Sequence, residues 1–215
     1  MKKWNKKWFI ISTVVIFLPM IAGFLMWNRL PDRLITHWNA AGEADGSMGK
    51  LAAVTITPAF IFIMHVFCLF MTHLDSSNEK QSPKALLIAY CAMPATSLFA
   101  GFMVLGNAIS TQLQPMNWMN LFFGLLLIFI GNYLPKCTQN SVLGIRLPWT
   151  LKDEDNWQKT HRLAGRLWLA GGLILLLGSF LISAVQLPLM LVVLLSLCLL
   201  PTIYSFKLSI KKQRS

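Results

Sequence analysis

Two short polar stretches hold the side chains best placed to do chemistry in this 215-residue chain. In the first, His37, Asn39, Glu43 and Asp45 supply nitrogen and oxygen donors within nine positions. Imidazole and carboxylate together suit a divalent cation. The same residues also read as a loop tied by its own hydrogen bonds, since Asn, Asp and Gly are turn formers and no H-x-x-x-H or C-x-x-C spacing is present. A third use is recognition, because Trp27 and Trp38 beside Arg29 and Arg33 form a surface of the kind that receives an apolar peptide.

The second stretch, residues 131–166, is the longest polar interval in the chain. It carries Lys136, Arg146, Lys152, Lys159, Arg162 and Arg166, together with Asp153, Glu154 and Asp155. Thr150 followed three residues later by Asp153 reads as a helix N-cap with an acid in the first turn. A helix beginning near Leu151 would pair Asp155 with Lys159 and Trp157 with His161 at i, i+4. It would set Trp157, His161 and Ala164 along one face and let Arg162 and Arg166 snorkel to lipid head groups. Arg146, Lys159 and Arg162 could then meet anionic lipid or an acidic partner. No Ser or Cys nucleophile has a base at useful spacing, and there is no phosphate-binding glycine loop or dinucleotide-binding turn. The sequence therefore calls for no cofactor and no catalytic residue.

These stretches are positioned by hydrocarbon. Hydrophobic residues make up 55% of the chain and charged residues only 13%, about half the share of a soluble domain. The charges are swept into short intervals between uncharged runs long enough to cross a bilayer. The spacing predicts an all-α polytopic membrane protein with about six spans, at residues 8–27, 51–72, 85–109, 118–134, 167–185 and 189–206. A tight turn at 186–188 would divide the last two. The extracytoplasmic loop is 28–50 within an N-terminal region 1–110, and the polar interval lies within a second region, 111–215. Inside the spans no Asp, Glu, Lys or Arg occurs, which argues against an ion-coupled pump. His65 is the one histidine at depth, and a hydrogen bond to a neighbouring helix is its ordinary use. Cys68, Cys91 and Cys198 fall in spans and Cys137 in the polar interval, so no structural disulfide is expected.

Six spans put both termini on one side. Counted over alternate connections, sixteen of the nineteen Lys and Arg residues then share that side, and only Arg29, Arg33 and Lys50 lie opposite. The positive-inside rule makes the termini and the polar interval cytoplasmic. The formal net charge of +11 is thus a matter of topology, and no direct nucleic-acid contact is needed to explain it.

The polar interval also resembles a known pattern. Asn132, Tyr133, Leu134, Pro135 and Lys136, then Gln139 and Asn140, Gly144, Ile145 and Arg146, Pro148, Trp149 and Thr150, Trp157, and Lys159, Thr160, His161 and Arg162 look like the signature of the SdpI-type immunity family. Leu147 stands where that pattern has a threonine. The stretch Leu30-Pro31-Asp32, His37-Trp38-Asn39 and Gly42-Glu43-x-Asp45-Gly46 resembles the extracytoplasmic domain of unknown function that accompanies such proteins. The resemblance implies a membrane protein that binds and neutralises a secreted toxic peptide. It also implies capture of a small cytoplasmic helix-turn-helix repressor. On that reading Arg33, His37, Trp38, Asn39, Glu43 and Asp45 meet the toxin. Asn132, Pro135, Lys136, Asn140, Gly144, Arg146, Pro148, Trp149, Thr150, Trp157, Lys159, Thr160, His161 and Arg162 form the cytoplasmic motif. A peptide transporter or flippase, and a metal-dependent membrane enzyme using His37, Glu43 and Asp45 or His161, stand as alternatives.

Overall fold

A computed structural model describes residues 5–74, 83–110 and 113–213. Of the basic residues counted above, Lys2, Lys3, Lys80 and Arg214 lie outside the described residues, as does the side chain of Lys84. Among the described residues six long helices dominate: α1 (Lys6–Leu25), α2 (Lys50–Leu74), α3 (Pro83–Ile109), α4 (Pro115–Tyr133), α5 (Glu154–Gly178) and α6 (Ser183–Gln213). All but α5 are long and apolar enough to cross a membrane. Large apolar side chains such as Leu25, Phe60, Ile63 and Leu199 stand exposed along them, the surface expected where lipid is the solvent. This is a multi-pass membrane protein. To the all-helical expectation the structure adds one small sheet, β1 (Arg33–Trp38) paired antiparallel with β2 (Ala44–Gly49).

The chain divides into two compact units. One comprises Lys3–Leu69 and Ala89–Met119. Here α1 and α2 run antiparallel, with Phe17 against Phe62 at 5.2 Å between ring centroids and Gly23 closely packed on Val54. The buried polar groups serve these crossings. Ser12 Oγ lies 2.8 Å from His65 Nε2, and Ser97 donates to the carbonyl of Ile16 at 2.7 Å. Sealed in this way, His65 fits the role of a helix-to-helix hydrogen bond. Leu30 and Leu34 anchor the hairpin in an apolar cluster with Ala53, Val54 and Val104. Lys50 locks the junction of hairpin and α2. Its N–H donates to the Asp32 carbonyl at 2.8 Å, and its ammonium donates to the Trp27 carbonyl at 3.0 Å.

The other unit contains residues 120–215 and holds α5, α6 and most of α4. Glycine sets the close approach of α4 to α5. Gly124 faces Gly172 and Gly131 faces Gly165, so each helix offers glycine seven residues apart, two turns along one face. A Cβ on Gly172 would come within 2.6 Å of the Gly124 carbonyl oxygen. On its other side α5 meets α6 through Gly171 against Val193 and Leu197, and through Gly178 beside Leu189. The descending register makes α5 and α6 antiparallel.

The turn between them differs from the sequence expectation. The proposed turn at 186–188 and continuous span at 167–185 are replaced by a helix ending at Gly178 and a turn at 179–182. Gln186 is the reason. Fully buried in the first turns of α6, its amide donates to the carbonyls of Leu181 at 2.6 Å and Ser179 at 3.3 Å. Carbonyls left open at a helix end need such a donor. Asn120 of α4 donates to the Gln186 side-chain oxygen at 3.4 Å. Pro188 lies inside α6 and does not mark a turn.

Candidate functional site

The polar interval folds as a knot of side-chain hydrogen bonds at the N-terminal end of α5. After α4 a short 3-10 turn, Leu134–Lys136, brings Pro135 onto Gly165 of α5. Asn140 then organises the loop. Its oxygen accepts from the N–H groups of Val142 at 2.8 Å and Leu143 at 2.6 Å, and its amide donates to the carbonyls of Thr138 and Leu143, both at 2.8 Å. Gln139 donates to the Thr150 carbonyl at 2.6 Å. An uncapped loop at this point would leave these backbone groups without partners.

Thr150 does not cap the helix. Fully buried, its hydroxyl accepts from Leu147 N–H at 2.8 Å and lies 2.9 Å from the Ile145 carbonyl, so it closes the preceding turn. The N-cap is Asp153, whose carboxylate accepts from Asp155 N–H at 3.1 Å. α5 therefore starts three residues later than the sequence reading, with Glu154 and Asp155 as the first-turn acids. Lys212 of α6 reaches Asp153 at 3.0 Å, and this hydrogen bond holds the Asp153 carboxyl below its usual range. Lys159 and Asp155 form the anticipated i, i+4 pair at 2.7 Å, which raises the Lys159 ammonium above its ordinary value.

Trp157, His161 and Ala164 share one buried face. Trp157 donates to the Cys137 carbonyl at 2.9 Å and stacks on His161 with ring centroids 4.0 Å apart. Burial pushes the Cys137 thiol up to about 11, so it stays protonated and unreactive at neutral pH. His161 Nε2 accepts from Ile145 N–H at 2.9 Å. An N–H can only donate, so Nε2 carries the lone pair and Nδ1 carries the proton, given to the Trp157 carbonyl at 2.8 Å. Both ring nitrogens are in use. Burial, opposed by the bond to Trp157, lowers the imidazole to about 4, which keeps it neutral in a cell. Gly144, at φ +110°, lies directly over His161 Nε2 and the Trp157 ring, where no Cβ fits.

A second chain of bonds ties this knot to α6. Trp149 donates to Ser205 Oγ at 2.8 Å, and Ser205 Oγ donates to Asn156 Oδ1 at 2.6 Å. The Asn156 amide returns to the Ser205 carbonyl at 2.9 Å, while Thr160 donates to Asn156 Oδ1 at 3.0 Å. Trp149 also packs on Phe206. Asn156 and Ser205 were not singled out from the sequence. An Asn in the first turn of a helix and a Ser near the end of an apolar run carry no periodic signal, and their pairing spans 49 residues.

The motif residues thus separate into two sets. Asn140, Gly144, Thr150, Trp157, Thr160 and His161 build the knot, and all but Gly144 are buried. Asn132, Pro135, Lys136, Arg146, Pro148, Lys159 and Arg162 are exposed, and Trp149 is half-buried. Lys136 lies over the Tyr133 ring at 4.7 Å, and Arg146 donates to the Ser141 carbonyl at 2.6 Å. The result is a rigid platform with a cationic surface.

The hairpin holds the other candidates. His37 Nδ1 lies 2.5 Å from Asp45 Oδ1, whereas Glu43 turns to Asn39, which donates to it at 3.1 Å. Asn39 Oδ1 also accepts from the N–H groups of Ala41 and Glu43, closing the turn with Gly42 at φ +82°. Among the described residues no three His, Cys, Asp or Glu side chains converge as a metal site. His37 and Asp45 pair with each other, while Glu43 pairs with Asn39. Arg33 is held by Ser47, donating from Nε to its hydroxyl and from Nη2 to its carbonyl, both at 3.1 Å. Trp38 is half-buried at the end of β1.

Comparison with known proteins agrees with this layout. Residues 136–205 match the SdpI/YfhL protein family, from the exposed Lys136 to the Ser205 that closes the knot. Residues 14–62 match the domain of unknown function DUF1648 and take in the hairpin. The immunity protein SdpI of Bacillus subtilis (strain 168) is 26% identical over 209 residues, covering 92% of this chain and 93% of that protein. No solved structure matches the chain. The platform lies within the SdpI/YfhL match and the hairpin within the DUF1648 match, and the chain is similar to an SdpI immunity protein along nearly its whole length.

Proposed function

We propose that this protein is a membrane immunity protein that neutralises a secreted antimicrobial peptide. The observation that carries the reading is the relationship to an immunity protein over nearly the whole of both chains. In the proposed topology the termini and the platform face the cytoplasm and the hairpin faces outward, since sixteen of nineteen Lys and Arg residues then lie inside. In this topology α5, 25 residues and about 37 Å long, is the remaining crossing, with its apolar C-terminal half in the hydrocarbon and its polar N-terminal half at the cytoplasmic side. The membrane is the inner membrane of a bacterium.

The hairpin is the proposed contact for the toxin, through the exposed Arg33 and His37 and the half-buried Trp38. The platform is the proposed contact for a cytoplasmic helix-turn-helix repressor, through Lys136, Arg146, Lys159 and Arg162. His161 and Trp157 act here only by holding the platform in shape. A toxin can change the platform only by binding one of two conformations more tightly. The test is survival of a sensitive bacterium expressing this chain and challenged with candidate peptides. Protection is expected, with loss on Arg33→Ala and retention of the protein in the membrane. Equal killing with and without the chain, across all the candidate peptides, would defeat the proposal.

A further inference from the structure

Among the described residues no neighbour covers one face of α5, and the chemistry of that face changes along its length. Pro135, Gly124 and Gly131 cover the side bearing Gly165 and Gly172, and α6 covers the side bearing Gly171 and Gly178. The loop covers Trp157 and His161. What remains is the stripe Lys159, Arg162, Arg166, Ala170, Leu173 and Leu177, at intervals of three and four residues and exposed throughout. Lys159 is paired with Asp155. Among the described residues no carboxylate pairs with Arg162 or Arg166. One turn further on, the same stripe is hydrocarbon, with Leu173 55% and Leu177 72% exposed.

The antiparallel register with α6 sets the depth of these arginines. Asn156 is level with Ser205, and Gly171 is level with Val193 and Leu197. Arg162 and Arg166 therefore stand beside the stretch of α6 where Leu199, Leu200 and Ile203 are exposed, not beside its basic end at Lys207–Lys212. Arg166 is roughly 15 Å along the axis from Asn156. Two guanidinium groups at the height of an apolar surface need an anion close by, or must snorkel to one. Arginines at i, i+4 lie side by side and present parallel N–H donors suited to phosphate.

We propose that this stripe binds an anionic phospholipid of the adjoining leaflet, its phosphate held by Arg162 and Arg166 and an acyl chain lying along Ala170, Leu173 and Leu177. A soluble acidic protein would match the arginines but not the leucines that continue the stripe. The site shares Arg162 with the proposed repressor contact, but lipid binding here does not depend on the immunity reading and stands whether or not that reading holds.

The experiment is native mass spectrometry of the full chain in detergent, titrated with phosphatidylglycerol or phosphatidylcholine. The wild type is expected to retain the anionic lipid selectively. Removing each charge should cost about fivefold, so Arg162→Gln with Arg166→Gln should lower retention of phosphatidylglycerol roughly twenty-five-fold and leave phosphatidylcholine unchanged. Arg162→Lys with Arg166→Lys should keep most of the selectivity, which separates lost charge from lost fold. Lys207→Gln with Lys211→Gln should keep it all. Glycerophosphoglycerol, the head group without chains, should not displace the lipid at equal concentration. Four results would overturn the site: no preference in the wild type, preference surviving in the Gln pair, equal loss in the α6 control, or displacement by the free head group.

Discussion

Protonating His161 should undo the knot, and the size of the effect follows from its surroundings. The ring is neutral in the folded protein because Nε2 accepts from Ile145 N–H and because burial lowers it from 6.5 to about 4. In an opened loop it returns to its ordinary value. The open form therefore binds a proton between pH 6.5 and 4 while the closed form does not, so closure is at full strength above 6.5 and weakens as pH falls. At about 1.4 kcal/mol per unit, the interval from 6.5 to 5 costs about 2 kcal/mol. Within that interval the Cys137 thiol stays protonated, and Asp153, held low by Lys212, stays ionised. Hydrogen exchange at Ile145 N–H, corrected for its intrinsic pH dependence and compared with amides in the middle of α6, reads the opening directly. Protection at Ile145 should fall about tenfold per pH unit below 6.5 and be flat above 7. His161→Gln, which keeps an acceptor but cannot titrate, should flatten the profile. Protection that does not change between pH 6.5 and 5, or the same slope in His161→Gln, would refute the assigned tautomer and its role.

Gly144→Ala should destabilise the platform by about 2 kcal/mol or more, because φ +110° disfavours any side chain and the Cβ meets His161 and Trp157; limited proteolysis within 137–153 should become rapid. Ser205→Ala removes the hydroxyl that joins Trp149 to Asn156 and should cost about 1–3 kcal/mol, read as a blue- or red-shifted Trp149 emission in a background where the other tryptophans are replaced. Gly172→Leu should separate α4 from α5, since the Gly124 carbonyl has nowhere to move, and should lower the amount of folded protein in membranes severalfold. Lys159→Gln breaks only an exposed pair and should leave the thermal unfolding midpoint unchanged.

Much of this molecule is readable from apolar runs and helical spacing. Five of the six uncharged runs marked helices long and apolar enough to cross a membrane, the i, i+4 spacing found Asp155 with Lys159, and the periodicity put Trp157, His161 and Ala164 on one buried face. The failures share a cause. Thr150 looks like a cap because local sequence shows the hydroxyl but not the turn at Ile145–Leu147 that claims it. Pro188 looks like a turn, but the break is fixed by Gln186 reaching back to carbonyls that local sequence cannot locate. The hairpin was legible as a polar, turn-rich loop, and its strands were not, because β2 (Ala44–Gly49) has almost no strand-forming residues and is held by pairing with β1. Asn156 and Ser205 were invisible for the same reason, a bond made between distant turns of two helices.

The proposed topology, read from the distribution of Lys and Arg, assigns the hairpin to the outside and the platform to the cytoplasm. Single cysteines at Ser47 and Lys152, in a chain with its four native cysteines replaced, can be labelled in intact cells with a membrane-impermeant maleimide. Labelling at Ser47→Cys in intact cells, with Lys152→Cys reacting only after lysis, is the predicted outcome. Equal labelling of both positions in intact cells, or protection of both, would contradict it.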